Sequence, residues 1–419
     1  MPTPPKLTIL VINSGSSSVK FTLFGIEDEA VLSRGVVERI GLEGTRIAYT
    51  SHSGKKITRP VAVGDAREAV ACIVECLVDK DHGVLKSRRD VAAVGHRVVH
   101  GGEKISASVA IDDPVKKIIQ EYVPLAPLHN PPNLAGIEAC EESFPESPQV
   151  AVFDTAFHAT LPEKAFLYGL PYELYTEGKI RRYGFHGTSH CYVSQEAARY
   201  LGRPLEDLKM ITCHLGNGSS ITAVDSGKSV DTSMGLTPLA GTIMGTRCGT
   251  IDPAIVMHLM QHKGLTVEQV NILLNKKSGF LGMAGIGSSD VRDVLAAMEK
   301  GQARPAAAVN VFVHQIRKYL GAYTAVMNGL DAVVFTGGVG ENAAVIREMV
   351  CNGERGLEMF GIRLDPEKNA SAGQMAREIQ AGGSPVAILV IPTDEEKEIA
   401  RQTVAVLGLP HGCINSMAK

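Results

Sequence analysis

Ile9-Leu-Val-Ile-Asn-Ser-Gly-Ser-Ser-Ser-Val-Lys-Phe-Thr-Leu-Phe24 reads as two short apolar strands joined by a polar turn of glycine and serine. Leu7–Val11 and Val19–Phe24 carry the strand character. About two hundred residues later Met210-Ile-Thr-Cys-His-Leu-Gly-Asn-Gly-Ser-Ser-Ile-Thr-Ala-Val224 restarts the pattern, with strands Lys209–His214 and Ser220–Val224 around Leu215–Ser219. Glycine lacks a Cβ, so such a turn brings backbone N–H groups close to an anion, and serine hydroxyls add neutral donors. One copy alone is as well read as an ordinary hairpin loop. Two copies in one chain predict a duplicated domain, with a cleft between the halves for a ligand.

Length and composition agree. A chain of 419 residues suits two domains of about 200 residues each. Hydrophobic residues at 44% and charged residues at 21% are ordinary for a soluble globular protein. A formal charge of -3 argues against nucleic acid or an anionic membrane as the main partner. The start of the chain does not read as a secretory signal, because prolines interrupt it and Leu7–Ile12 is a short apolar run. No stretch approaches the roughly 20 apolar residues of a membrane helix. The eight cysteines (72, 76, 140, 191, 213, 248, 351 and 413) form no CxxC pair or zinc spacing. They read as small buried apolar side chains in a reducing cytosol.

Between the two hairpins the expected elements alternate. Ala66–Leu77 is helix-like, Val91–Val99 and Gln149–Phe153 are buried strands, and the second ends on Asp154. The proline-rich run Pro124–Asn133 is expected to be irregular, with a helix starting after Asn133. In the second half an amphipathic helix is expected from Ala306 to Asn328 and a buried strand over Ala332–Phe335, running into Thr-Gly-Gly-Val-Gly-Glu-Asn at 336–342. Val386–Ile391 is the last strand, and the acidic stretch Asp394–Leu407 is helix-like. The first Gly/Ser turn leads into a strand, so it is not a phosphate loop of the GxxxxGK[ST] or GxGxxG kind, which opens a helix.

Two phosphate-gripping hairpins with a later Gly-Gly segment resemble the superfamily of sugar kinases, heat-shock ATPases and actin. Within it, the chain resembles the acetate kinase family. The runs that carry the resemblance are NSGSSSVKF, GHRVVHGG, PLAPLHNPPNL, VFDTAFHATLP, RRYGFHGTSH, HLGNGSS, MGLTPLAGTIMGTRCGTIDP and FTGGVGENA, ending on Thr393-Asp-Glu-Glu396. They cover nearly the whole chain. The resemblance implies an α/β fold of two duplicated actin/ribonuclease-H-like domains with an interdomain active-site cleft. The expected domains are residues 1–155 plus 394–419 and residues 156–393, the second binding nucleotide and forming a homodimer. The implied reaction is reversible transfer of the ATP γ-phosphate to acetate, giving acetyl phosphate and ADP in a Mg²⁺-dependent (or Mn²⁺-dependent) cytoplasmic enzyme.

Residue by residue, the resemblance implies that Arg97 binds the substrate carboxylate and that Asp154, His186 and Arg247 are catalytic. His186 and Arg247 sit in glycine-flanked loops among apolar neighbours, an odd place for a casual charge, and planar arginine donors suit carboxylate and phosphate alike. A carboxylate acceptor is already ionised at neutral pH, so Asp154 reads better as a holder of Mg²⁺ or its waters than as a proton acceptor. Asn13 and Glu395 are the metal-linked positions. The family's common run is Thr-Asn-Glu-Glu, so Asp394 is a departure that adds charge beside the metal. Lys20, the turn His214, Leu215, Gly216, Asn217 and Gly218, the segment Asp290, Val291 and Arg292, and the segment Gly338, Val339, Gly340, Glu341 and Asn342 are the nucleotide contacts. Val99, Leu128, Phe185 and Pro238 resemble the small apolar pocket for the acetate methyl. The His186/His190 pair lacks the glutamate of a HExxH zinc site. Propionate or butyrate kinase, a pyrophosphate-using relative, and an actin- or chaperone-like ATPase remain the alternatives. The last has no use for a carboxylate clamp.

Overall fold

The computed structural model describes residues 7–410 apart from 52, 354, 372 and 374; Cys413 and the prolines ahead of Leu7 lie outside the described residues. The chain divides into two units, residues 1–157 with 394–419, and residues 158–393.

The first unit holds an eight-stranded sheet. Its strands are β1 (Thr8–Ser14), β2 (Ser18–Gly25), β3 (Val31–Glu38), β4 (Arg46–Ser51), β5 (Lys56–Pro60), β6 (Val91–Val98), β7 (Val109–Ala110) and β8 (Gln149–Phe153), in the order β5-β4-β3-β2-β1-β6-β8-β7. The second unit holds β9 (Lys209–Leu215), β10 (Ser219–Asp225), β11 (Lys228–Thr232), β12 (Ala332–Thr336), β13 (Arg377–Glu378) and β14 (Ala387–Val390), in the order β11-β10-β9-β12-β14-β13. The duplication is visible in the pairing. In each sheet a run of antiparallel strands, five in the first and three in the second, leads into two parallel ones, and a short antiparallel strand closes the far edge. Parallel neighbours need long crossovers, and helices supply them.

Each sheet buries both faces at its parallel strands, which is why these read as continuous apolar runs. In the first unit the helix Ala66–Leu77 places Val70, Ile73, Val74 and Leu77 on one face, against Leu10, Ile12, Phe21 and Leu23. Asp65 starts it by accepting from the N–H of Glu68. Cys72 and Cys76 are buried on this helix, and the seven described cysteines are free. The opposite face is covered by the closing helix Glu395–Leu407, through Ile399, Ala400 and Val404 against Ile9, Val11 and Val152. In the second unit the helix Ala303–Met327 drives Phe312, Ile316 and Leu320 into the core around Ile211, Ile221 and Val333.

Several elements differ from expectation. The helix expected after Asn133 begins at Asn130, and Pro131 and Pro132 occupy its first turn. Proline lacks an N–H, but the first turn has no partner for one, so proline is accepted there. The helix expected from Ala306 begins at Ala303 for the same reason, with Pro305 in its opening turn. The segment 336–342 contains a short helix, Gly337–Asn342, directly after β12.

The closing helix is anchored to the first unit by charge. Glu29 accepts two bonds from Arg401, both 2.9 Å, and lies 2.8 Å from the ammonium of Lys397. Burial pushes the Glu29 carboxyl up, but the hydrogen bonds from Arg401 and Lys397 outweigh it and hold the pKa at about 2. A group held below its unfolded value of 4.5 adds stability above that pH and loses it as the pH falls toward 2. Allowing for solvent screening, Glu29→Gln should cost about 1–2 kcal/mol at pH 7. Urea unfolding from pH 7 down to pH 3 should show the gap to the unsubstituted chain narrowing below about pH 4.5.

Candidate active site

Each unit carries a cluster of polar groups at one end of its sheet. In the first unit the parallel strands β1, β6 and β8 end together, placing Asn13, Arg97 and Asp154 side by side. Lys20, the third residue of the antiparallel β2, stands opposite Asn13 in the register. Arg97 holds Asp154 with two bonds, Nε to Oδ1 at 3.2 Å and Nη2 to Oδ2 at 2.5 Å, and its Nη1 points at Asn13 Oδ1 at 3.5 Å. The Asp154 side chain is 3% exposed, so this fork is well shielded and its geometry is fixed. Burial opposes charge on Arg97, but Asp154 and Glu395 more than offset it and keep the pKa raised.

The first turn of the closing helix brings Glu395 and Glu396 to the same cluster. Burial raises the Glu395 carboxyl above its ordinary range; Arg97 opposes the rise, and Asp154 and Glu396 reinforce it. Three carboxylates (Asp154, Glu395, Glu396) against two cations (Arg97, Lys20) leave one net formal negative charge. Among the described residues no group of three His, Cys, Asp or Glu side chains forms a ready metal cage. Asp394, the departure noted above, caps the closing helix by accepting from the N–H of Lys397 at 2.9 Å. Asparagine and aspartate cap about equally well, which explains how the fold accepts the change.

In the second unit the repeated turn Gly216–Gly218 is the focus. The N–H of Gly216 closes the hairpin on the carbonyl of Gly218 at 3.0 Å. Around it stand His186 and Arg247: a Cβ on Gly218 would lie 3.3 Å from the His186 Nε2 and 3.7 Å from an Arg247 guanidinium nitrogen. His186 precedes the helix Gly187–Leu201 in the left-handed conformation, with φ of 56°. It is thus a helix-entry residue, and Thr188 and Ser189 lie inside the first turn. The Ser220 hydroxyl orients the His186 ring, 2.9 Å from Nδ1, and also meets His190 Nε2 at 2.7 Å. Burial pushes the His190 pKa well down, with His158 and His214 adding to it, so that ring is a neutral support.

Arg247 is half-buried and its Nη1 donates to the carbonyl of Pro238 at 3.1 Å. Among the described residues no carboxylate pairs with it, and burial lowers its pKa. A guanidinium in that condition is electrostatically prepared for an incoming anion. His214 is held through the Ser189 hydroxyl, 2.8 Å from its Nδ1, and Ser189 in turn meets the Thr393 hydroxyl at 2.8 Å. Sequence reading missed Ser189 and Ser220, although Ser220 lies inside the repeated hairpin itself.

The Gly-Gly segment packs on this turn. Gly337 has φ of 75°, and a Cβ there would stand 2.8 Å from the carbonyl oxygen of Leu215. Gly338 is exposed, and a Cβ there would meet nothing within 4 Å, leaving room for a ligand. Glu341 accepts from the N–H of Gly337 at 2.9 Å and of Thr393 at 3.2 Å, while the buried Arg347 ties down the carbonyls of Gly340 and Glu341. Val339 is partly buried and Asn342 bonds back to the Gly338 carbonyl. Gly337→Ala combines a left-handed φ with a backbone clash. It should destabilise the second unit by about 1–3 kcal/mol, read by thermal unfolding.

The remaining predicted residues fall as follows. Asp290 caps the helix Val291–Glu299, pairs with the exposed Arg292, and leaves Val291 buried. Val99 is buried and Leu128 is 65% exposed, both in the first unit; Phe185, buried, and Pro238 belong to the second.

The sequence model of the acetokinase family matches residues 8–401. The chain belongs to the acetokinase family. It is 54% identical over 402 residues to the acetate kinase of Dictyoglomus turgidum, covering 96% of this chain and 98% of that one. Its fold matches the crystal structure of Porphyromonas gingivalis acetate kinase with a TM-score of 0.91 at 44% identity, covering 96% of this chain and 99% of that one. A propionate kinase of Francisella tularensis gives a TM-score of 0.87 at 42% identity, covering 95% and 99%. Acetokinase-family membership makes the enzyme a phosphotransferase with a carboxyl group as acceptor. No described helix is long and apolar enough to cross a membrane.

Proposed function

We propose that the enzyme transfers the γ-phosphate of ATP reversibly to acetate, forming acetyl phosphate and ADP by direct in-line displacement. The observation that carries this reading is Arg247, an unpaired half-buried guanidinium set with His186 over the second glycine turn. Phosphoryl transfer needs charge stabilisation more than covalent chemistry, and two donors at one phosphate-sized turn supply it. A carboxylate oxygen of acetate attacks the γ-phosphorus and the bond to the bridging oxygen of ADP breaks. No proton moves, so no general base is required.

His214, Leu215, Gly216, Asn217 and Gly218 hold phosphates, with Lys20 as a further contact. Asp290, Val291 and Arg292 together with the segment 338–342 hold the nucleoside. Arg97, held in position by Asp154, presents its guanidinium to the acceptor carboxylate. Val99, Leu128, Phe185 and Pro238 favour a methyl group. Asn13, Glu395 and Asp154 would hold Mg²⁺ or its waters, which neutralises charge on the phosphates when bound. Propionate, one methylene larger, should be the weaker acceptor by about 1–3 kcal/mol of binding. Free thiols suit a cytoplasmic, reducing setting.

The deciding experiment incubates the protein with ATP, Mg²⁺ and each short-chain acid and traps acyl phosphate with hydroxylamine. Hydroxamate from acetate above propionate is expected. No hydroxamate with any acid would sink the kinase reading, and a stronger propionate signal would replace acetate as the substrate.

A homodimer through the second unit is part of the same proposal. The helix Ala254–Lys263 carries Ile255, Val256, Met257, Leu259 and Met260 yet buries none of its residues within the chain. Sedimentation at micromolar concentration should give twice the 44.6 kDa chain mass. Met257→Asp should shift that equilibrium toward monomer.

A further inference from the structure

Strands β2 to β5 present a second polar surface that the acetate kinase reaction does not explain. Alternation along these strands sends Val19, Phe21, Val37, Ile47 and Tyr49 into the core under the helix Ala66–Leu77. The other face carries two cross-strand rows fixed by the register. One is Thr22-Arg34-Thr50-Lys56 and the other is Lys20-Val36-Ala48-Thr58. The closing helix packs mainly on β1, β6 and β8, so these rows stay open beyond its edge. They line a cavity of about 370 Å³, bordered by Glu396 from the first turn of that helix.

The chemistry of the lining points one way. Val36 and Ala48 make a small apolar floor, and the hydroxyls of Thr22, Thr50 and Thr58 add neutral donors. Lys20, Arg34 and Lys56 stand around it with Glu396 as the one carboxylate of the lining, while Asp394 and Glu395, just outside the lining, act on Arg34 and Lys20 from a distance. Among the described residues none of these three cations is held in an ion pair or hydrogen bond. Elsewhere in this unit exposed cations are often paired, as Arg46 with Glu38 and Lys104 with Glu121. Arg34 and Lys56 are two strands apart, about 10 Å at the backbone, so a single charged group cannot satisfy both without drawing the side chains inward. The volume is that of a small-molecule site rather than of a macromolecular surface.

We infer that this cavity is a binding site for a small polyanion, one carrying at least two phosphate or carboxylate groups, distinct from the phosphate turns of the reaction centre. The inference stands on the first unit alone and does not require the nucleotide assignment of Lys20. Lys20 borders both places, so an occupant here draws on a cation the reaction also uses, and its binding should weaken steeply with salt.

The test uses the full chain with ADP at saturation, so that the phosphate turns of the second unit are occupied, and titrates it calorimetrically with inorganic tripolyphosphate and, separately, with tricarballylate. At least one probe should bind. Its affinity should fall tenfold or more in the same chain carrying Arg34→Gln and Lys56→Gln, with each single change giving part of the loss. The identity of the bound probe separates a phosphate ligand from a polycarboxylate. Both positions are exposed, so the double variant on an otherwise intact enzyme should keep its melting temperature and keep acyl phosphate formation within twofold when no polyanion is added. Equal affinity with and without Arg34 and Lys56, or no binding of either probe, would overturn the site. A failed hydroxamate assay would not bear on it.

Discussion

Replacing Arg247 by alanine should lower turnover by about 10²–10³ while leaving the KM values for ATP and acetate within a few-fold. The reason is the state of the guanidinium. It is half-buried, its recorded protein partners are the Pro238 carbonyl and the Met244 sulfur, and it faces the Gly216–Gly218 turn beside His186. Burial lowers its pKa. Charge on the phosphoryl group spreads over its outer oxygens in the transition state, and a fixed cation is worth most there. Arg247→Lys should recover only part of the loss, since an ammonium cannot reproduce the planar fork. Loss confined to substrate binding, with turnover intact, would instead make Arg247 a ground-state anchor.

Asp154→Asn should reduce kcat/KM for acetate by about 10²–10³, a larger effect than on the KM for ATP. Asp154 is almost wholly buried and both its oxygens receive Arg97. Asparagine keeps the size but offers one acceptor and no charge, so the fork that would meet the acceptor carboxylate loses its orientation. Because Asp154 also belongs to the oxygen cluster with Asn13 and Glu395, the Mg²⁺ concentration needed for half activity should rise. The check is a matrix of initial rates against acetate, ATP and Mg²⁺. Unchanged metal dependence with a displaced pH profile would assign Asp154 to proton transfer and remove it from the metal cluster.

Some of this was plain in the sequence for a local reason. The Gly/Ser turns, the buried parallel strands and the Gly-Gly segment depend on residues close together in the chain. Glycine, β-branched runs and strand-terminal polar groups report such features directly. Strands β3, β4 and β5 escaped notice even though Val31–Glu38 and Arg46–Ser51 are strands of six to eight residues. Their apolar and polar residues alternate only partly, because in β3 Ser33 and Gly35 take inward positions beside Val37 while Val36 lies on the outer face with Arg34. The early starts of the helices at Asn130 and Ala303 were hidden by proline, which signals a break and a beginning with the same residue.

The candidate site divides along the same line. Which residues matter could be read from motifs, since Arg97, Asp154, His186 and Arg247 each sit in a distinctive run. What they touch could not. The pairing of Arg97 with Asp154 spans 57 residues and depends on β6 and β8 lying parallel and in register. The orientation of His186 by Ser220 depends on a helix entry meeting a strand 34 residues away. By itself the sequence determined two glycine hairpins, a duplicated α/β plan and a set of chemically apt side chains, because short-range backbone preference and apolar periodicity suffice for these. Only the tertiary structure decided that Asp154 spends its charge on Arg97, that Arg247 has no counter-ion among the described residues, and that Lys20, Arg34 and Lys56 share one face, because each of those facts depends on residues far apart in the chain and no local preference sets it.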